Sequence, residues 1–527
     1  MCRLFYFLRD LLPAPSLIMM PVVFASFYGC RSNEAPSSVA DATSFYTEKY
    51  RPQLHFSPKE NWMNDPNGMV YYKGDYHLFY QYYPDGMVWG PMHWGHAVST
   101  DLIYWKHLPI ALYPDSLGLI FSGSAVADEK NTSGFGTANK PPLVAIFTYH
   151  SVEKEKAGRT DYENQGIASS IDSGKTWTKY ENNPVLKNQG VKDFRDPKVF
   201  WHDETGKWVM ILAVKDHVEL WGSPDLKSWN KLSDFGYTFG AHGGVWECPD
   251  LFYSKIEGED KGKWVMIVSI NPGGPNGGSA TQYFTGEFDG TSFKPDTEAH
   301  TTSWLDYGPD NYAGVTYSNA PDSRNIFIGW MSNWAYAGVV PTSPWRSAMT
   351  LPRELSLSRV GNRLYVRSTL SPETSKLVTT SASTGKLVIN DSTVIGGGMD
   401  FSKAMVAGSI PARDFTIELF NDQDQKLVIG FDEGQNHFFI DRGFAGSNDF
   451  SKDFNSRSVA PRVSTNDDIA FTFVSDVSSL EIFFDDGLTV MTTLFFPDEP
   501  LTKMSVRSAG PLPVENLEVK ELHSIWR

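Results

Sequence analysis

At 527 residues the chain has room for more than one domain, and 20% charged residues with a formal net charge of −16 argue against a nucleic-acid partner, whose phosphates call for a basic surface. Aromatics make up 14%, with 16 Trp and 23 Tyr, which suits a neutral sugar surface or an aromatic-rich β core. Of 3 cysteines only Cys248 lies in the body, which excludes a disulfide framework there.

In chain order, Arg3 and Arg9 precede an apolar run over residues 17–28 that ends at Gly29-Cys30, and Arg31-Ser32-Asn33-Glu34 follows. Residues 1–30 therefore predict an export signal. Gly29-Cys30 resembles the end of a bacterial lipoprotein signal, with Phe27 and Tyr28 departing from the usual pattern; attachment to a membrane through a lipidated Cys30 is the expectation, at a bacterial cell surface or periplasm, and secretion otherwise. No other apolar stretch is long enough to span a bilayer. Residues 31–45, rich in Ser, Ala, Asn and Pro, predict a tether.

From residue 46 short runs of Val, Ile, Tyr, Phe and Trp alternate with Gly, Asp, Asn and Pro clusters, and helical periodicity is nearly absent. Gly68-Met69-Val70-Tyr71-Tyr72, Lys73-Gly74-Asp75 and Tyr76-His77-Leu78-Phe79-Tyr80 spell a hairpin. A weak repeat, Ser-x-Asp followed by a turn and a Trp, begins at Ser99, Ser170 and Ser223, with a degenerate fourth copy at Phe288-Asp289-Gly290-Thr291-Ser292-Phe293. Such a period predicts the blades of a β-propeller over 46–360. Plainer alternation after it, as in Phe415-Thr416-Ile417-Glu418-Leu419, predicts a β-sandwich over 370–527, making the body all-β.

Cleaving a glycosidic bond takes two carboxyl groups, one to attack or to activate water and one to protonate the leaving oxygen. Three carboxylates stand in unusual settings: Asp65 in NWMNDPNG, Asp196 in Asp193-Phe194-Arg195-Asp196-Pro197, and Glu247 in Val245-Trp246-Glu247-Cys248-Pro249-Asp250. Their spacing puts each on a different blade, and inner strands of different blades converge on one axis. Alone, Asp65 reads equally well as a turn residue and Arg195-Asp196 as a local pair. Glu247 in an apolar strand is harder to dismiss, because a carboxyl there needs a reason.

These motifs, together with Trp94-Gly95-His96-Ala97-Val98-Ser99, Phe121-Ser122-Gly123-Ser124, Gly329-Trp330-Met331-Ser332-Asn333-Trp334 and Pro352-Arg353-Glu354-Leu355, resemble glycoside hydrolase family 32 in content and order. The resemblance implies a five-bladed propeller, a retaining double displacement on β-fructofuranosyl linkages of levan or inulin and also sucrose, and no cofactor or metal. It implies Asp65 as nucleophile, Glu247 as acid and base, and Asp196 as transition-state stabiliser, with Asn64, Gln81, Trp89, Phe121, Ser122, Arg195, Tyr307 and Trp334 holding substrate. The stretch NWAYAGVVPTSPWR at 333–346 resembles exo-acting relatives. Endo action on levan, a non-catalytic fructan-binding lipoprotein, an inverting five-bladed arabinan or xylan hydrolase, and fructosyl transfer are the alternatives. Asn311 and Val98 depart from residues common in the family. His93 and His96 read as structural, Cys248 as a small buried thiol, and NPGGPNGGS at 271–279 as a flexible loop at the rim of the funnel.

Overall fold

Leu143–His150, Lys207–Val214, Gly262–Asn271 and Ile326–Met331 are near-continuous apolar runs, and a strand of that kind is stable only with both faces covered. Each is the second strand of an antiparallel blade, packed between neighbouring blades. The computed structural model describes residues 46–526 apart from 138, 297, 455 and 456; the expected export signal, Cys30 and the tether lie outside the described residues. Among the described residues no helix is long and apolar enough to cross a membrane.

Five blades follow one another, opened by the inner strands Asn61–Tyr72, Leu119–Ala127, Phe194–His202, Val245–Lys255 and Tyr312–Thr316. Consecutive inner strands pack on one another and the fifth returns to the first. The ring closes through Ser318, whose N–H donates to Met69 O and whose carbonyl accepts from Tyr71 N, both at 3.0 Å. Each junction between blades is a separate apolar cluster, for example Phe79 and Trp94 against Phe147, or Val209 and Ile211 against Trp246. Trp62, Trp94, Trp246, Trp330 and Trp345 are fully buried, so much of the aromatic content serves the core rather than a sugar surface.

The Ser-x-Asp repeat proves to be the turn between the third and outer strands. Asp101 accepts from Ile103 N and Tyr104 N, Asp172 from Lys175 N and Thr176 N, Asp225 from Lys227 N and Ser228 N, and Asp289 from Thr291 N and Ser292 N, all between 2.7 and 3.1 Å. This is the Asx turn, in which a short carboxylate takes up backbone donors that the turn leaves unpaired. The fifth blade makes the corresponding connection with a two-residue hairpin loop, Gly361-Asn362, which is why only four copies are visible in the sequence.

The expected end of the propeller at 360 falls within the last hairpin of the fifth blade. Arg363–Leu370 pairs with Arg353–Val360 along its whole length, and Leu357, Leu364 and Val366 share a core with the fourth blade, so the propeller sheet runs to Leu370. The sandwich begins after Pro372–Leu377. Its long strand Lys503–Leu522 pairs by its first part with Phe415–Phe420 and by its later part with Ala404–Pro411, joining the layers around a core of alternating Phe, Ile and Leu. Thr489–Leu494 ends the sheet and lies against the fifth blade.

Candidate active site

Every inner strand loses register with its neighbour near its start. The pairing skips between Met63 and Pro66, between Ile120 and Gly123, opposite Ile211 and Ala213, between Glu247 and Asp250, and between Tyr312 and Val315. A bulge of this kind bends a strand and re-aims the side chains at the break. The residues so placed are Asn64 and Asp65, Phe121 and Ser122, Asp196 beside Arg195, Cys248 beside Glu247, and Ala313 beside Tyr312. Pro66, Pro197 and Pro249 follow directly, since a bulge tolerates a residue with no N–H to give. Asp196 and Cys248 take left-handed φ values of 62° and 46°, strain of about 1–3 kcal/mol each that the surrounding ring must hold.

Asp65 receives Ser122 Oγ at 2.8 Å on Oδ2 and Asn64 Nδ2 at 2.9 Å on Oδ1. The Cys248 thiol reaches Oδ2 of Asp65 and Oδ2 of Asp196, 3.6 Å in each case, and Cys248 N donates to Asp196 at 3.0 Å. Arg195 places Nη2 2.9 Å and Nε 3.2 Å from Oε1 of Glu247, while the Tyr312 hydroxyl donates to Oε2. The far side of the Arg195 guanidinium is held by Asp193 at 2.9 Å and by buried Glu163 at 3.2 Å. The three carboxylates named from the sequence therefore meet, together with one arginine and one thiol.

Burial, followed by the neighbouring charges, shifts Asp65, Asp196 and Cys248. Burial raises Asp65 above the usual carboxylate range and Glu247 adds to this, with the hydrogen bonds from Asn64 and Ser122 pulling the other way. Burial also raises Asp196, against Arg195 and with Glu247 and Asp65. The Cys248 thiol is pushed far up by burial and then by Asp196 and Asp65, so it stays neutral and serves as a bridging donor. Asp250, in the same motif as Glu247, takes no part: its carboxylate accepts Thr316 N at 2.7 Å and Lys198 Nζ at 3.0 Å, joining blades below the site.

Around this centre, Gln81 stands opposite the Asn64-Asp65 bulge, 2% exposed, with its Nε2 donor unpartnered. Phe121 stacks on His150 at 4.3 Å, and exposed Trp89 meets Phe121 edge-on at 6.0 Å. Trp334 stacks on Trp62 at 5.9 Å, in the apolar cluster that also holds Cys248 and Tyr312. Tyr307 is not brought to the site. Its N–H bonds Val490 O at 2.8 Å and its ring packs on the sandwich core, because the segment carrying it runs along Thr489–Leu494. The loop 271–279 leaves the strand end paired with Val245–Glu247, and its Ser279 Oγ accepts Trp334 N at 3.3 Å, while Asn276 bonds both the N–H and the carbonyl of Val459 and so ties the loop to the sandwich.

Tyr312 and Glu163 were not singled out from the sequence. Tyr312 had a signal, since it begins the fifth inner strand as the other site residues begin theirs; Glu163, in a plain second-blade strand, had none. His93 bonds Pro91 O and His96 bonds His77, so the two imidazoles do not share a partner. The one group with metal-like spacing among the described residues, His217, Glu219 and Asp234, already holds the Lys231 ammonium 2.7 Å from Glu219 and 2.6 Å from Asp234.

Residues 55–368 match the glycosyl hydrolases family 32 N-terminal domain and residues 367–521 the glycosyl hydrolases family 32 C-terminal region. A levanase of Bacillus subtilis (strain 168) is 45% identical over 501 residues, covering 93% of this chain and 73% of the relative. An extracellular exo-inulinase of Aspergillus ficuum is 39% identical, covering 91% of this chain and 96% of that protein. The crystal structure of exo-inulinase from Aspergillus awamori superposes with a TM-score of 0.83 at 36% identity, covering 91% of this chain and 100% of that one.

Proposed function

The chain belongs to glycoside hydrolase family 32 and is a fructan-hydrolysing glycosidase, and on that premise we propose that Asp65 is its nucleophile and Glu247 its acid and base. The observation that carries this reading is the meeting of Asp65 with the Glu247-Cys248 pair across two blades in a buried pocket. An Asp65 oxygen attacks the anomeric carbon of a fructofuranosyl unit as that carbon's bond to the leaving oxygen breaks, and Glu247 gives its proton to the leaving oxygen. Water then gives its proton to Glu247 and attacks the same carbon, which frees Asp65 and retains the anomeric configuration.

Asp196 and Arg195 hold hydroxyl groups of the sugar, with Asn64, Gln81 and Ser122 supplying further polar partners once water is expelled. Trp89, Phe121 and Trp334 wall the pocket. Levan is the first substrate to expect, from the likeness to the Bacillus subtilis levanase, and release of single fructose units is favoured by the likeness to the Aspergillus exo-inulinases. Export is favoured by the likeness to an extracellular exo-inulinase and by the signal pattern at 1–30, with Cys30 as the lipid acceptor.

Early products from levan, inulin and sucrose test mode and linkage together. Fructose alone from the first turnovers supports the exo reading, and a ladder of oligosaccharides overturns it. The α-fructofuranose anomer as first product would instead mean inversion.

A further inference from the structure

We propose that the sandwich domain belongs to the catalytic apparatus, with Arg442 as a positioning residue that holds residues 306–311 and, through them, the Tyr312 hydroxyl against Glu247. The inference rests on the reading of Glu247 as the acid.

Residues 306–311 lead straight into Tyr312 and lie along the edge strand of the sandwich, Thr489–Leu494. Tyr307 N donates to Val490 O at 2.8 Å, Thr492 N to Asp306 Oδ1 at 2.9 Å, and Asp310 N to Thr492 O at 3.2 Å. The approach is so close that a Cβ on Gly308 would stand 2.0 Å from Thr492 O. Both carboxylates of the segment end on buried arginines. Arg353 of the fifth blade takes Asp306 at 2.9 Å, and Arg442 of the sandwich takes Asp310 at 2.7 Å.

Arg442 also joins this segment to the one bearing Trp334. Its Nη2 donates to the Tyr336 hydroxyl at 3.1 Å, and that hydroxyl donates to Asp310 Oδ1 at 2.6 Å. Asn333 Nδ2 adds a bond to Pro309 O at 2.7 Å. Asp310 lies two residues before Tyr312, and Tyr336 two residues after Trp334. One sandwich guanidinium thus fixes the approach to the partner of the acid and to one wall of the pocket. A buried, fully paired cluster of this kind has a single arrangement, and losing one member leaves the others unpaired and displaced.

The test compares two leaving groups in the full chain. Sucrose needs a proton on its leaving oxygen, whereas p-nitrophenyl β-D-fructofuranoside leaves as a stable phenolate and needs little help from an acid. Arg442→Met should lower kcat on sucrose by about 10- to 100-fold, the cost of a misplaced catalytic group. On the aryl fructoside the loss should stay below about threefold, because acid catalysis is the part impaired. Tyr336→Phe, which removes one oxygen and keeps the ring, should show the same selectivity more weakly should Arg442→Met fail to fold. An equal loss on both substrates, or no loss with Tyr336→Phe while Glu247→Ala remains selective for sucrose, overturns the proposal. A Glu247→Ala protein with no such selectivity would overturn the acid reading, and the positioning role with it.

Discussion

Ser122 Oγ on the second blade donates a 2.8 Å hydrogen bond to Oδ2 of Asp65 on the first. The bond favours the ionised form of a carboxyl that burial and Glu247 hold above its ordinary range. A nucleophile works ionised, so the rate climbs as pH rises through the Asp65 pKa. Ser122→Ala removes a bond to the charged form, so the pKa goes up and the acid limb of kcat/KM moves to higher pH. The shift expected is on the order of one unit, the weight of one charge-assisted bond. A pH profile of the variant superimposable on the wild type would remove Asp65 from the acid limb.

Cys248 lies between the carboxylates of Asp65 and Asp196, a position that invites comparison with a reactive cysteine. Its surroundings say otherwise: the thiol is buried, both near charges are negative, and each opposes a thiolate. Iodoacetamide at neutral pH should therefore leave the folded enzyme active, and the thiol should alkylate only after denaturation. Inactivation that tracks labelling of Cys248 in the native protein would mean the pocket is far more open than its geometry shows.

The three carboxylates are legible in the sequence through the order of the family motifs, not through their Asp-Pro and Cys-Pro settings, which alone read as turns and which the structure resolves as bulges that re-aim side chains. Four of five blades announced themselves through an Asx turn, and the fifth, turning on Gly361-Asn362, did not. Tyr307 was misplaced because a tyrosine beside Gly308 and Pro309 carries no sign of which neighbour it will dock on; the sandwich edge, far along the chain, decided that. Glu163 stayed invisible for the same reason. Its role depends on Arg195, which approaches from another blade.

Gln81 offers a separation of stability from function. Its buried Nε2 meets no acceptor among the protein's own groups, which leaves that donor for a substrate hydroxyl. Gln81→Leu replaces the amide by an apolar group of similar size. The melting temperature should hold or rise, while kcat/KM on sucrose falls by about tenfold, the value of roughly 1.4 kcal/mol for one lost bond. A variant that loses stability and keeps kcat/KM would place the amide in the fold rather than in recognition.

His55 ties the propeller to the sandwich: Nδ1 lies 2.7 Å from Asp476 and Nε2 2.9 Å from Glu481, all three fully buried. Burial opposes the imidazolium, but the bonds it donates to Asp476 and Glu481 prevail and push His55 up to about 9. Burial likewise opposes the Glu481 carboxylate, yet Arg353 and His55 bring it down to about 2. A raised histidine stabilises fully below its unfolded pKa of about 6.5 and loses that contribution as pH climbs through 9. A lowered glutamate contributes fully above its unfolded value of about 4.3 and loses it as pH falls toward 2. Both are present in full only between about 4.3 and 6.5. His55→Gln should therefore melt below the wild type by the widest margin near pH 5 to 6, and the gap should narrow by about 3 kcal/mol, a few degrees in melting temperature, on going to pH 9. Differential scanning calorimetry of both proteins across that range measures the gap directly, and a gap that stays constant would show that His55 is neutral in the folded protein.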